Sequence, residues 1–192
     1  MIKKILFLFC QQILPKRLFG HLITRVANKH IPFLTNIFIK FYIYIYKISL
    51  QDCDKAASNN YYTFNDFFTR KLLIDTRKIT LDYNNIISPV DAIISQFGNI
   101  NQTKLLQAKN KDYSLLKLLA NDNFYHKFCN GSFATFYLSP KHYHRVHLPM
   151  NACLLRTIYV PGKLFSVNNI STEYCDDLFS NNERLICIFY NK

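Results

Sequence analysis

The stretch NGSFATFYLSPKHYHRVHLP, Asn130 to Pro149, decides how this chain is read. Ser132–Leu138 is rich in aromatic and β-branched residues and predicts a strand. The pattern breaks at Ser139-Pro140, because proline lacks an N–H and disfavours helix in the residue before it. With Ser139 as N-cap and Pro140 at the first helical position, a single turn fits. His142, His144 and His147 then follow, three of the six histidines of the chain. In a helical turn His144 and His147 share a face, whereas in an extended segment His142 and His144 do. A metal reading needs His142 and His144 as a strand pair with remote ligands, and such a pair is weak evidence by itself. A general base needs one imidazole and one orienting carboxylate.

The best candidate carboxylate is Asp91, the lone acid of the apolar stretch IISPVDAIISQFG. A buried aspartate is costly unless paired, so a partner is expected. An Asx turn after Pro89 explains the residue equally well, and both readings stand at this point.

Working outward, Ile86–Ile87, Ala92–Phe97, Cys153–Val160 and Leu185–Tyr190 also read as strands, separated by turn residues. Tyr113–Leu119 reads as a helix with Ser114 as its N-cap. The class is α+β: amino-terminal amphipathic helices, then a mainly antiparallel sheet domain that is incomplete at its carboxyl end. The last strand, apolar on both faces, belongs inside a sheet. Two regions are expected, a basic amphipathic membrane-associating helical region at 1–50 and a partial sheet domain at 51–192, which the resemblance given below makes a catalytic domain.

The boundary rests on charge. The net charge is +12, and residues 1–50 carry eight Lys or Arg and no Asp or Glu. Lys3 and Lys4 stand beside Ile2, Ile5, Leu6, Phe9 and Ile13 at helical spacing, which predicts a cationic helix on an anionic membrane surface. The apolar run near the start is too short for a secretory signal. Ile31–Leu50 is interrupted by Pro32, Asn36, Lys40 and Lys47, so interfacial helices are favoured over a spanning one. A nucleic-acid arm would not need so many Ile, Leu and Phe residues. The six cysteines include no CxxC pair and read as reduced, mostly buried small side chains of a cytoplasmic protein.

FNDFFTRKL, SPVDAIISQFGNI, KLLQAKNKDYSLLKLLA, NGSFATFYLSPKHYHRVHLP, YVPGKLFSVN and LFSNNERLICIF occur in the order and spacing of bacterial phosphatidylserine decarboxylases, and the resemblance extends to the amino-terminal ILPKRLFG. It implies conversion of phosphatidylserine to phosphatidylethanolamine and carbon dioxide through a Schiff base with a self-derived pyruvoyl group. It assigns Asp91 and His147 to self-cleavage, with His147 taking the proton of the cleaved serine and Asp91 stabilising the imidazolium. His144 matches the residue implicated in decarboxylation itself, as proton donor or positioner, and His142 reads as solvated. No metal is implied. The implied partners are phosphatidylserine, the anionic membrane surface, a carboxyl-terminal chain bearing the pyruvoyl, and a second copy in a homodimer. The implied location is peripheral, on the cytoplasmic face of the cell membrane.

The Leu-Gly-Ser-Thr motif that supplies the family's pyruvoyl does not occur in these 192 residues. The one Gly-Ser pair, Gly131-Ser132, precedes the histidines, whereas the family's cleaved serine follows them. The expectation is therefore the amino-terminal portion of a proenzyme, inactive alone, with a catalytically inactive membrane-surface module as the alternative. Ala92, Asn110 and Ala152 stand where the family usually has glycine, and would be strained wherever those positions demand positive φ.

Overall fold

A computed structural model describes residues 9, 11, 13–79, 85–108 and 111–191. Lys3, Lys4, Cys10 and Asn110, and most of the first expected helix, lie outside the described residues. The chain forms two compact units. One is built from Leu18–Ile93 and Leu138–Ala152, the other from Ile94–Tyr137 and Cys153–Tyr190 together with the described residues up to Arg17.

The first unit holds most of α1 (Lys16–Asn28), then α2 (Pro32–Tyr46) and the short α3 (Phe64–Phe68). Pro32 opens α2 where a missing N–H costs nothing, and Lys47 closes it in the left-handed region at φ 51°. Thr63 caps α3, its hydroxyl accepting from the Asp66 N–H. Ile39, Ile48, Tyr61 and Phe67 form the core here, with Tyr42, Ile43, Leu50 and Phe64 packed against it. Residues on both sides of position 50 thus share one core. Ile39 and Phe67 are fully buried, each contributing roughly 2–3 kcal/mol by area removed from water. In α1 the stripe Leu18, Leu22, Ile23 and Val26 is exposed and no residue is buried.

The second unit carries β1 (Ile93–Asn99), β2 (Lys104–Ala108), β3 (Lys111–Ser114), α4 (Leu115–Leu118), β4 (Ser132–Tyr137), β5 (Cys153–Val160), α5 (Asn169–Tyr174), α6 (Leu178–Asn181) and β6 (Arg184–Tyr190). They pair as three two-stranded sheets, β1 with β4, β2 with β3, and β5 with β6. The last two are antiparallel, so the α+β class with helices first and antiparallel sheet after holds. Gln107 is buried and fully used: its amide donates to the Thr172 and Cys175 carbonyls and accepts from the Leu178 N–H, tying β2 to α5 and α6. Gly162 is required by space, since a Cβ there would lie 2.6 Å from the backbone of residues 181–183.

Several expectations are corrected. Ile86–Ile87 is not a strand; Ile87 instead donates its N–H to the Pro149 carbonyl. Tyr113 and Ser114 end a strand rather than begin a helix, because Tyr113 is drawn into a core of Ile100, Leu105 and Leu115. Ser114 still caps the helix, accepting from the Lys117 N–H. Ala92 and Ala152 are not among the residues with positive φ, so neither bears that strain. Of the five described cysteines, all free, only Cys53 is buried, and Cys153 and Cys187 on the β5–β6 pair are exposed. β6 buries Ile188 and exposes Leu185, Phe189 and Tyr190, with β5 its partner among the described residues.

Candidate functional site

The histidine segment and the Asp91 loop are joined by backbone. Ile87 N–H donates to the Pro149 carbonyl at 2.9 Å, and His147 N–H to the Pro89 carbonyl at 2.8 Å. The pairs run in opposite directions, so two extended loops lie together like a short antiparallel ladder. The turn before them closes by a His142 N–H bond to the Ser139 carbonyl at 3.0 Å. Ser139 does not cap a helix; its N–H donates to His142 Nδ1 at 3.0 Å. His142 is therefore half-buried and bonded rather than solvated, contrary to expectation.

Beyond that turn the segment is extended, and alternation sorts its side chains. Tyr143, Arg145 and His147 line a cavity of about 500 Å³ together with Lys71, Arg77, Val90, Asp91 and others. His144 lies off that wall, its ring tilted against Phe68 at a centroid distance of 4.0 Å. The structure thus brings Asp91 and His147 to one cavity and separates His144 from both.

Asp91 and His147 do not bond to each other. The Asp91 carboxylate accepts two bonds from Arg77 Nε at 3.2 and 3.1 Å and one from Nη2 at 2.7 Å. Arg77 also donates to Asp52 at 3.0 Å, and these bonds, led by Asp91's, hold its pKa above the usual arginine range. His147 is exposed, and its Nε2 meets the Tyr143 hydroxyl at 2.9 Å, the rings stacked at 5.5 Å. Burial pushes the Tyr143 pKa up, so the hydroxyl keeps its proton and its oxygen can accept from Nε2–H. Arg145 donates from Nε to the Thr69 carbonyl at 2.8 Å, anchoring the segment to the end of α3.

On the other face, His144 Nδ1 lies 2.8 Å from the His142 carbonyl. Burial lowers the pKa of His144, opposed by that bond and assisted by Arg70. Burial also lowers the pKa of His142, with Lys141 adding to the effect and Asp91 opposing it. Sequence reasoning missed Arg77, Tyr143 and Arg70. Tyr143 was findable from its even spacing to His147 in an extended segment; the two arginines act across loops and leave no local signal. Among the described residues no group of three His, Cys, Asp or Glu could hold a metal ion.

Comparison with known proteins gives a consistent answer. The family profile described as phosphatidylserine decarboxylase matches residues 64–192. The chain is 44% identical over 183 residues to the phosphatidylserine decarboxylase proenzyme of Psychrobacter arcticus, covering 95% of this chain and 66% of that protein. Against the proenzyme of Hahella chejuensis it is 42% identical over 185 residues, covering 96% and 62%. Against that of Klebsiella pneumoniae subsp. pneumoniae it is 47% identical over 180 residues, covering 93% and 56%. The chain thus spans roughly three fifths of the length of these curated relatives.

Proposed function

This chain belongs to the phosphatidylserine decarboxylase family, and from that premise we propose that it is the amino-terminal portion of a proenzyme converting phosphatidylserine to phosphatidylethanolamine and carbon dioxide. What supports the reading is that Asp91 and His147, the pair the resemblance assigns to self-cleavage, line one cavity and are held there by the Pro89–His147 backbone bond.

With Nε2–H donating to the Tyr143 oxygen, which steers the ring, His147 takes the proton of the attacking serine at Nδ1. Asp91, which the resemblance assigns to stabilising the imidazolium, lines the same cavity and is held in place by Arg77. The resemblance assigns His144 to decarboxylation; it lies off this cavity, on the other face of the segment against Phe68. The cavity fits a small ketone carried on a chain end beside an anionic headgroup: it joins Lys71, Arg145 and Lys78 to the apolar Leu72, Ile87 and Val90. His147 and Tyr143 would hold the ketone's side, and Lys71 and Arg145 the anionic groups of the substrate. A bound pyruvoyl supplies a carbonyl that draws off the electrons left when carbon dioxide departs.

The membrane reading is supported by α1 and α2. Leu18, Leu22, Ile23 and Val26 form an exposed stripe on α1, with Arg17 and Arg25 on the same helix. Phe33, Phe41 and Tyr44 of α2 are exposed as well. No helix among the described residues is long and apolar enough to cross a membrane. Apolar stripes flanked by cations suit the headgroup level of an anionic leaflet.

The test is co-expression of residues 1–192 with the carboxyl-terminal third of the Psychrobacter relative. Self-processing and release of carbon dioxide from phosphatidylserine are expected, with processing lost in His147→Ala and reduced in Asp91→Asn. Processing that survives both substitutions would overturn the assignment. Sedimentation with anionic vesicles should weaken with salt and on charge reversal at Lys16 and Arg17; equal binding to neutral vesicles at high salt would remove the electrostatic part.

A further inference from the structure

Arg70 is 4% exposed, and its Nε and Nη1 have no hydrogen-bond partner among the described residues. A buried guanidinium without a carboxylate is costly, so its retention calls for a reason. Arg184 in the other unit shows the ordinary solution: its three nitrogens donate to the carbonyls of Leu118, Ser180, Asn182 and Lys117. Arg70 places only Nη2, at 3.2 Å from the Lys141 carbonyl and 3.3 Å from the His142 carbonyl. Its guanidinium also lies over the Phe67 ring, at 5.4 Å.

The His142 carbonyl is the same one that His144 Nδ1 meets at 2.8 Å. A carbonyl oxygen only accepts, so the proton of a neutral His144 ring sits on Nδ1, and the Nε2 lone pair is left to accept. Arg70 therefore grips the oxygen that orients the ring and sets a fixed cation beside it. We propose that Arg70 is a positioning residue that holds His144 as the neutral Nδ1–H tautomer through the shared His142 carbonyl, making His144 a proton acceptor at Nε2 rather than a donor. This rests on the reading of His144 as part of the decarboxylation site, and of the two roles the resemblance allows, proton donor or positioner, it leaves the neutral ring without a proton to give at Nε2.

The surroundings agree. The charged or titratable groups around this pair are Lys141 and His142 on the same segment, and Tyr42 and Tyr61, whose hydroxyls feel the Arg70 charge; the Tyr42 hydroxyl also lies 3.5 Å from the Pro140 carbonyl. No carboxylate bonds to Arg70 or His144 among the described residues. Burial and Arg70 both disfavour the imidazolium, against the opposing pull of the His142 carbonyl.

The experiment is long-range ring proton–nitrogen NMR on the nitrogen-15-labelled chain, titrated as wild type, Arg70→Lys, Arg70→Gln and Arg70→Met. The wild-type ring should be Nδ1–H and should titrate below an ordinary histidine. Arg70→Lys, which keeps the charge, should leave the His144 midpoint low. Arg70→Gln should keep the tautomer and move the midpoint upward, and Arg70→Met should give a mixed tautomer as well. An Nε2–H ring in the wild type, or identical midpoints in the Lys and Gln variants, would overturn the proposal. A purely structural role would move all three variants together, and if Arg70→Met fails to fold, the Lys and Gln pair still decides. The readout is independent of activity, so a failure of the decarboxylase reading would appear separately, in the co-expression assay.

Discussion

One face of the histidine segment looks into a cavity and the other into protein, and the two behave differently. Tyr143, Arg145 and His147 stand with Asp91 and Arg77 around open space, and His147 is exposed. His142 and His144 are half-buried, bonded to Ser139 and to the segment's own backbone, with Phe68 and Arg70 behind them. Side chains two apart on an extended chain share a surrounding, and neighbours do not. Three histidines within six residues thus make two sites, one set by charged groups in a cavity and one by desolvation.

The largest effect that could break this contrast is in the support of the buried face. Phe67→Ala should cost about 3–5 kcal/mol in denaturant unfolding, because a fully buried ring is removed from the core. His144 ring signals should move and those of His147 should not; equal movement of both would show that the faces are one unit. Next is Arg77→Leu, which removes the clamp on Asp91 and Asp52 and should cost roughly 1 kcal/mol, since both ions are partly exposed. Its spectral footprint should fall on His147 and spare His144. Tyr143→Phe removes one hydrogen bond to an exposed ring and should cost about 0.5–1 kcal/mol. A larger loss would mean that the hydroxyl carries more of the loop than its bonds record.

The smallest effect is in the pH dependence. The pKa values of His142 and His144 are lowered in the folded chain, chiefly by burial. As pH falls below the ordinary histidine value the unfolded chain takes up protons first, so the stability present above that value is lost until pH passes the lowered native values. Melting temperature should therefore drop on acidification in that window, and His144→Phe should flatten the drop. An unchanged slope in the variant would place the acid sensitivity elsewhere.

Much of this was legible in advance. Aromatic and β-branched patterning located β4 and β5, Ser114 announced its cap, and Pro32 stands at the start of α2. The β2–β3 hairpin was missed because Tyr113 to Leu119 carries helical spacing, and only contact with Ile100 and Leu105 draws Tyr113 into a strand. Asp91 stood between a paired carboxylate and an Asx turn; it is paired, yet the partner is Arg77, fourteen positions away, and not His147. The absence of any acid in the first fifty residues left the α1 cations without local counter-ions, which spacing alone could show.

The sequence by itself determined the fold class, the family, and Asp91 and His147 as site residues, because periodicity, capping and motif order are local properties of the chain. The tertiary structure decided which histidine faces which surroundings. That choice depends on whether the segment after Pro140 is helical or extended, and it is made by the Pro89 and Pro149 carbonyls, which draw the two loops into a ladder that neither loop encodes alone.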